Sequence, residues 1–587
     1  MKYLKLILAT VAFASLAFDM FAQDLPIYLT PSEREILPFY HFPTSQQKSI
    51  TSPPSGPLRT MAEWEEIQTL CVTWSTPDYY PLLREIIKNA RLECEVVVIC
   101  ADSNSVISNL TNANIPLSNI KYLEKPYNTI WMRDYGANTV YMNDVDSLIL
   151  VDWIYNRPRP KDDTIPSGIA NYKGIELFST TQAPNDLVHT GGNFMSDGLG
   201  TAFSSKLTQV ENGLNNDYNV TTKTPSEIDS VLKKFMGIER QVWWETLPYD
   251  GINHIDMHAK LLNEETLLMT EYPTGIADGP QIEANIQYLL SNYNSVYGTE
   301  YKLIRIPSPP NESSNAWPSN GGDYLTYSNC VFVNKTVLVP QYYEEYDTTA
   351  MRILKENLPG YKVVGLDCNT IIEASGAIHC ITHTIGVSDP LLISHQQLPN
   401  TDNGDQTFVV NARIQHKSGI ENATLYYTID TSLAFIEAPM FLNDAPNHIW
   451  TANIPPQLNG ITVYYYIGAN SFSGKQQVRP ITAPEGFFHF KIDFVTALFE
   501  NNNFTIGNIY PNPANAITCI PISSNHIENV NVNLFDINGK FIKNIYNNRI
   551  LKGNKNLFID CNTLVGGIYL LKFETATGTI TKKLAVK

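Results

Sequence analysis

The hydrophobic rhythm of the chain changes once, near residue 395, and that change limits the folds open to it. Before this point, short apolar runs such as Cys94–Cys100 (CEVVVIC), Ser147–Val151, Thr266–Thr270 and Val331–Val339 alternate with stretches of helical periodicity and glycine-containing turns. Such alternation predicts an α/β unit. Beyond it, Thr407–Ile414, Ala423–Ile429 and Ile461–Ile467 carry apolar or aromatic residues at alternate positions, which predicts an all-β sandwich. A polar linker, Asn501-Asn502-Asn503, then leads to a last strand-rich unit opened by Tyr510-Pro511-Asn512-Pro513, in which Asn538-Gly539 is a hairpin turn between apolar runs. The expected organisation is α/β over 58–393, a β-sandwich over 394–497 and a second β-module over 505–587.

Two segments precede these. Lys2 and Lys5, the apolar run Leu6–Ala17 and the small residue Ala22 have the form of a signal peptide over 1–22. Residues 23–57, rich in Pro, Ser and Thr, read as a leader with little structure of its own. No later stretch reaches the ~18 apolar residues of a membrane helix, so export of a protein without a transmembrane segment is expected. With 58 acidic residues against 41 basic ones, the net charge is −17 and no basic patch stands out, which argues against nucleic acid as a partner. The 8 cysteines are sparse and show neither CxxC nor zinc-finger spacing; a dense disulfide scaffold and a structural zinc site are both unsupported, leaving room for one or two bridges.

Six segments carry residue types that could do chemistry. In Asn253-His254-Ile255-Asp256-Met257-His258, a strand would place His254, Asp256 and His258 on one face, as zinc ligands or as an acid/base with a carboxylate anchor. Trp131-Met132-Arg133-Asp134-Tyr135-Gly136 sets a charged pair between aromatic residues. Asn156-Arg157-Pro158-Arg159-Pro160 holds two guanidinium groups on a backbone stiffened by proline. The paired glycines of Thr190-Gly191-Gly192-Asn193 and Ser319-Asn320-Gly321-Gly322-Asp323 suit either close backbone approach to a ligand or tight turns. Gly376-Ala377-Ile378-His379-Cys380 ends on a cysteine that is either a small buried residue or a nucleophile. Each motif, taken alone, also admits a purely structural account.

The order of the segments is more specific than any one of them. AEWE at Ala62–Glu65, then WMRDYG, GGNFMSDGLG, HIDMHAK, GGDYLTYSN and GAIHC resemble the guanidino-group-modifying enzymes, in particular agmatine deiminases and secreted bacterial peptidylarginine deiminases. NRPRP and the modules that follow resemble the secreted peptidylarginine deiminases specifically. The YPNP start, the LFDINGKFI hairpin, the GGIYLLKF strand and the basic end of the chain resemble a type IX secretion C-terminal sorting domain.

The resemblance implies a five-fold pseudosymmetric α/β propeller with a central site, followed by an immunoglobulin-like sandwich and the sorting domain. It implies Cys380 as nucleophile, His254 as acid/base, Asp134 and Asp256 as guanidinium anchors, and Asn329 as the residue assisting the thiol. Trp131, Gly192 and Asn193 would line the substrate pocket, and Arg157 and Arg159 would bind a substrate carboxylate. No cofactor and no metal are implied. The expected partners are arginine-containing peptides or proteins, or small guanidino compounds such as agmatine, together with the type IX machinery; the expected location is the cell surface or the medium. Two readings from other classes stand beside these: a metallohydrolase built on His254, Asp256 and His258, and a silent adhesin using the β-modules.

Overall fold

A computed structural model describes residues 25–40, 49–493, 504–537, 539–575 and 578–587. The signal-peptide segment, the Asn501-Asn502-Asn503 linker and Asn538 lie outside the described residues.

The α/β region is one supersecondary unit used five times among the described residues: an antiparallel strand pair, a connection containing a helix, and a strand returning parallel to the second of the pair. In one, Ala259–Asn263 and Thr266–Glu271 form the pair, the helix is Gly279–Asn292, and Lys302–Pro307 returns parallel. Two others run Val331–Val333, Thr336–Gln341, Glu344–Asn357, Lys362–Asp367, and Asn138–Met142, Leu148–Tyr155, Ile165–Lys173, Glu176–Thr180. A fourth runs Met195–Ser196, Thr201–Ser205, Pro225–Met236, Arg240–Trp244. The fifth is closed by the two ends of the region: Thr382–Gly386 pairs antiparallel with Ile67–Thr73, whose sheet continues through Glu95–Cys100. Parallel pairing buries both faces of a strand and calls for continuous apolar runs, and EVVVIC at Glu95–Cys100 has five of its six residues buried.

The helices are set by local signals. Pro225–Met236 starts on a capping box, with Thr224 and Glu227 satisfying each other's backbone N–H groups, and stops at Gly237, whose φ of +69° is left-handed. A Cβ at Gly237 would also lie 1.9 Å from the Leu58 carbonyl oxygen, so the position is closed to other residues on two counts.

Three local expectations are corrected. Val331–Val339 is not one strand: Asn334, at φ +50°, turns the chain into a tight hairpin between Val331–Val333 and Thr336–Gln341. His254–His258 is not a strand either; Ile255–Met257 forms a 3-10 turn that His254 precedes. The leader is ordered over 25–40, with a helix at Pro31–Ile36 capped by Thr30 and Glu33. All eight cysteines are free and buried.

The chain divides into two compact units. The first holds the α/β region and an eight-stranded sheet ordered Leu392–Ser394, Phe408–Gln415, Ile449–Ile454, Ile436–Asp444, Ile420–Thr428, Thr462–Ser471, Gln476–Arg479, with Phe488–Lys491 also on Thr462–Ser471. Strand Ile436–Asp444 pairs with one neighbour through its first half and another through its second, so the sheet turns a corner there. This module is fastened to the α/β region by Arg479–Glu264 at 2.7 Å, Lys475–Glu66 at 2.6 Å and Arg413–Asp144 at 2.7 Å. The second unit is all-β. Its sheets run Phe504–Ile506, Ile517–Ser524, Gly553–Asp560, and Phe541–Ile550, Glu528–Asp536, Gly567–Thr575, Gly578–Val586. Gly539, at φ +82°, sits in the expected hairpin turn. Among the described residues no helix is long and apolar enough to cross a membrane.

Candidate active site

Five segments bearing expected site residues occupy the same place in the five units. Trp131–Gly136, Gly191–Asn193, Asn253–His258, Ser328–Asn329 and Gly376–Cys380 each directly precede the first strand of their pair. Repetition of the unit therefore gathers them, and short contacts tie them together. Arg133 N–H donates to the Cys380 carbonyl at 3.0 Å, and His379 N–H to the Asn329 carbonyl at 3.1 Å.

At the centre lie Cys380, His254, Asp256 and Asp134, none more than 1% exposed. Asn329 organises the nucleophile. Its Nδ2 donates to Cys380 Sγ at 3.2 Å, while its Oδ1 accepts from the backbone N–H groups of His379 at 3.0 Å and Cys380 at 3.4 Å. Cys380 Sγ stands 3.7 Å from Asp256 Oδ2, and His254 Nδ1 stands 3.6 Å from Asp134 Oδ1. Gly192 lets these groups converge, since a Cβ there would fall 2.5 Å from His254 Nδ1, 3.1 Å from Asp134 Oδ1 and 3.2 Å from Asp256 Oδ2. Its N–H donates to Asp134 at 3.3 Å.

The electrostatics suit a cationic guest. Burial, then the neighbouring Asp256, pushes the Asp134 carboxyl up to about 7. Burial also pushes Asp256 up, but its hydrogen bond and charge interaction with His379 outweigh this and hold it below the ordinary carboxylate range. Burial drives His254 down to about 3, so the imidazole is neutral at rest. Burial and the charges of Asp256 and Asp134 raise the Cys380 thiol well above its usual value. Asp256 Oδ1 and both ring nitrogens of His254 are buried without a hydrogen-bond partner among the described residues. Unpaired groups at such depth cost about 1–3 kcal/mol each, a cost that the N–H groups of a ligand would remove at Asp256 Oδ1 and at the unprotonated ring nitrogen of His254.

Two residues at the site fall outside the expected set. His379 Nδ1 contacts Asp256 Oδ2 at 2.7 Å and its Nε2 contacts Glu63 Oε1 at 2.9 Å, while Lys260 pairs with the other oxygen of Glu63. Both residues lie inside quoted motifs, AEWE and GAIHC, but nothing in the spacing says that they meet. The Asn193 amide is engaged by Ser205 and Thr208: its Nδ2 donates to the Ser205 carbonyl and the Thr208 hydroxyl, and its Oδ1 accepts from the Ser205 N–H. His258 is buried beside Trp244, and no group of three His, Cys, Asp or Glu among the described residues is arranged to hold a metal ion. In the Ser319–Asp323 segment, Gly321 is a turn at φ +89° and Asp323 bonds Asn311, as an ordinary loop does.

Residues 59–385 match the Porphyromonas-type peptidyl-arginine deiminase family, and the chain belongs to it. This is a family of hydrolases acting on amidine C–N bonds. Residues 508–587 match the secretion system C-terminal sorting domain, the address for type IX export. A Vibrio parahaemolyticus protein provisionally named agmatine deiminase is 26% identical over 247 residues, 38% of this chain and 64% of that protein. A Legionella pneumophila protein of the same provisional name is 28% identical over 244 residues, 40% of this chain and 65% of its own length. The chain thus spans just under two thirds of these relatives. An X-ray structure, also provisionally named agmatine deiminase, superposes with a TM-score of 0.51 at 20% identity, covering 59% of this chain and 100% of that one, which shows a shared fold.

Proposed function

We propose that the protein is an exported arginine deiminase acting on peptide or protein arginine, with Cys380 as nucleophile. The observation that carries this reading is the convergence of a thiol, a neutral imidazole and two carboxylates with unpaired oxygen and nitrogen atoms on one buried point. A guanidinium is protonated at any working pH, and its burial is costly without carboxylates. Asp256 and Asp134 would grip its N–H groups. The cation in turn would offset the two charges that hold the thiol protonated, lowering its pKa as it enters.

The steps balance. The thiol proton passes to His254 and the thiolate attacks the guanidinium carbon. The C–N bond then breaks as the imidazolium returns its proton, releasing ammonia and leaving an S-alkylthiouronium on Cys380. Water, deprotonated by the same imidazole, adds to that carbon; collapse breaks the C–S bond, the hydroxyl proton passing to the departing thiolate to give a citrulline side chain and free thiol, and the imidazolium gives its proton to the released ammonia, which leaves as ammonium. The side chain loses one positive charge.

Arg157 and Arg159 support a preference for C-terminal arginine, because paired guanidinium groups suit a main-chain carboxylate. Agmatine has no carboxylate and gains nothing from them. The second reading, a deiminase of small guanidino compounds, rests on the names of the relatives and shares the same central residues. We take the five repeated units to be the blades of a pseudosymmetric propeller with the site at its axis, the eight-stranded sheet to be an immunoglobulin-like module, and surface delivery to follow from the sorting domain. The division into 23–57 leader, 58–393 catalytic domain, 394–497 sandwich and 505–587 sorting domain is part of the proposal. The deciding experiment is citrulline formation by the purified protein in the presence of a chelator, with Cys380→Ala as control. Activity that requires a metal, or persists above about a hundredth of the parent rate in the variant, would reject the scheme.

A further inference from the structure

The two clamp arginines are already engaged by the chain's own leader. Arg159 Nε donates to Glu33 Oε1 at 2.8 Å, and its Nη2 donates to Glu33 Oε2 at 3.3 Å and to the carbonyls of Pro26 at 2.7 Å and Tyr28 at 3.3 Å. Arg157 Nε donates to the Ile27 carbonyl at 2.9 Å. These acceptors, one carboxylate and a run of backbone carbonyls, are the groups that the C-terminal end of a peptide substrate would present. On its other side, the leader meets the catalytic loops: Trp131 Nε1 donates to the Leu25 carbonyl at 2.8 Å, and Ile27 N–H donates to the Ala374 carbonyl at 3.3 Å. Trp131 is part of the segment that carries Asp134, and Ala374 lies six residues before Cys380. Gly376 packs between them, since a Cβ there would fall 2.5 Å from the Trp131 ring and 3.1 Å from Cys380 Cβ.

We propose that residues 25–40 are an inhibitory pro-segment that occupies the carboxylate end of the substrate cleft, with Glu33 standing in for the substrate carboxylate, and shields Cys380 until it is displaced. This deepens the function proposed above and rests on it. The way the segment is held supports displacement. Leu37 joins Ile154, Val188 and Tyr218 in a small apolar cluster, with Leu29 packed against it, and Ile27 is fully buried. Its helical part is the six-residue helix Pro31–Ile36, stabilised by the Thr30–Glu33 capping box, and the 3-10 turn Leu37–Phe39 that follows, so the segment has no core of its own and its order depends on being docked. Glu33 serves both the cap and the clamp, and pairing with Arg159 outweighs burial in keeping its carboxyl below the usual range. Losing the segment would free both arginines and open one wall of the site.

The test uses the full chain with the recognition sequence of a site-specific protease inserted between Tyr40 and Ser49. Two readouts are taken before and after cutting and removal of the fragment: kcat/KM on a peptide ending in arginine, and the rate at which iodoacetamide alkylates Cys380, followed by peptide mass mapping. Release should raise both by at least about tenfold, the factor by which a docked-to-open ratio of ~10:1 lowers the competent fraction. A synthetic peptide of residues 25–40, added back, should restore the block and compete with the arginine peptide. In the uncut chain, Glu33→Ala and Ile27→Asp should each raise both rates part of the way. Equal alkylation of Cys380 before and after release, or no competition from the peptide, would overturn the proposal. Faster alkylation after release, with no citrulline from either form, would instead reject the deiminase reading and uphold the shielding segment.

Discussion

Asn329 offers a substitution that separates electrostatic from structural roles. Asn329→Asp is nearly isosteric and keeps an acceptor for the His379 and Cys380 N–H groups, which the wild-type side chain binds at 3.0 and 3.4 Å. What it loses is the Nδ2 donor at 3.2 Å from Cys380 Sγ. A hydrogen bond to a charged group is worth about 1.5–3 kcal/mol, and each 1.4 kcal/mol is about tenfold. Loss of the bond to the developing thiolate should therefore lower kcat/KM about 10- to 150-fold. Burial and Asp256 already raise the thiol, and another acidic group beside it raises it further. The pH at which iodoacetamide inactivation reaches half its maximum should accordingly move upward in the leader-released enzyme. The melting temperature of Asn329→Asp should stay near the parent's. Asn329→Leu should lower it, because the buried Cys380 N–H then loses its acceptor at about 1–3 kcal/mol, while the His379 N–H keeps the Asn329 carbonyl at 3.1 Å. Parent-like kcat/KM in Asn329→Asp with an unshifted inactivation profile would refute a role for the amide at sulfur.

Other substitutions test neighbouring contacts. Burial pushes Asp256 up and the His379 interaction pulls it down to a net depression, so His379→Gln should raise its pKa and, with the carboxylate no longer held, lower kcat/KM for an arginine peptide; a parent-like kcat/KM would argue against His379 as a positioning residue. Gly192→Ala should abolish turnover while far-ultraviolet circular dichroism is kept, because the new methyl would meet His254 Nδ1 at 2.5 Å. In leader-released protein, Arg157→Ala should cut kcat/KM for a C-terminal arginine peptide about 10- to 100-fold, the scale of a lost charge-assisted contact, and spare agmatine; equal losses on both substrates would promote the small-molecule reading. A chain ending at residue 495 should stay active yet fail to reach the surface of its native host. Ending it near 395 should cost stability, since Glu264, only 5% exposed, would lose Arg479.

The sequence by itself marked the candidate chemistry-bearing positions, the most apolar strands and the helix ends of the scaffold. Runs such as Glu95–Cys100 are so apolar that only a buried strand accommodates them, and Thr224 with Glu227 or Gly237 mark helix ends through contacts at most five residues apart. The switch to alternating strands near residue 395 likewise follows from a period of two, which each strand carries in its own residues. The order of AEWE, WMRDYG, GGN, HIDMH and GAIHC was legible for the same reason.

What lay beyond it depends on partners distant in the chain. Asn334 turns Val331–Val339 into a hairpin, a choice that an apolar run by itself does not reveal. His379 and Glu63, 316 positions apart, are brought near one another where Thr382–Gly386 pairs with Ile67–Thr73. The leader looked unstructured because its composition promises no core. Its order comes from Arg157 and Arg159, whose buried guanidinium groups need acceptors and find them in residues more than a hundred positions earlier. Local propensity acts within a turn or two of the chain, whereas burial charges every unpaired polar group for its isolation; which groups pair is settled by the fold.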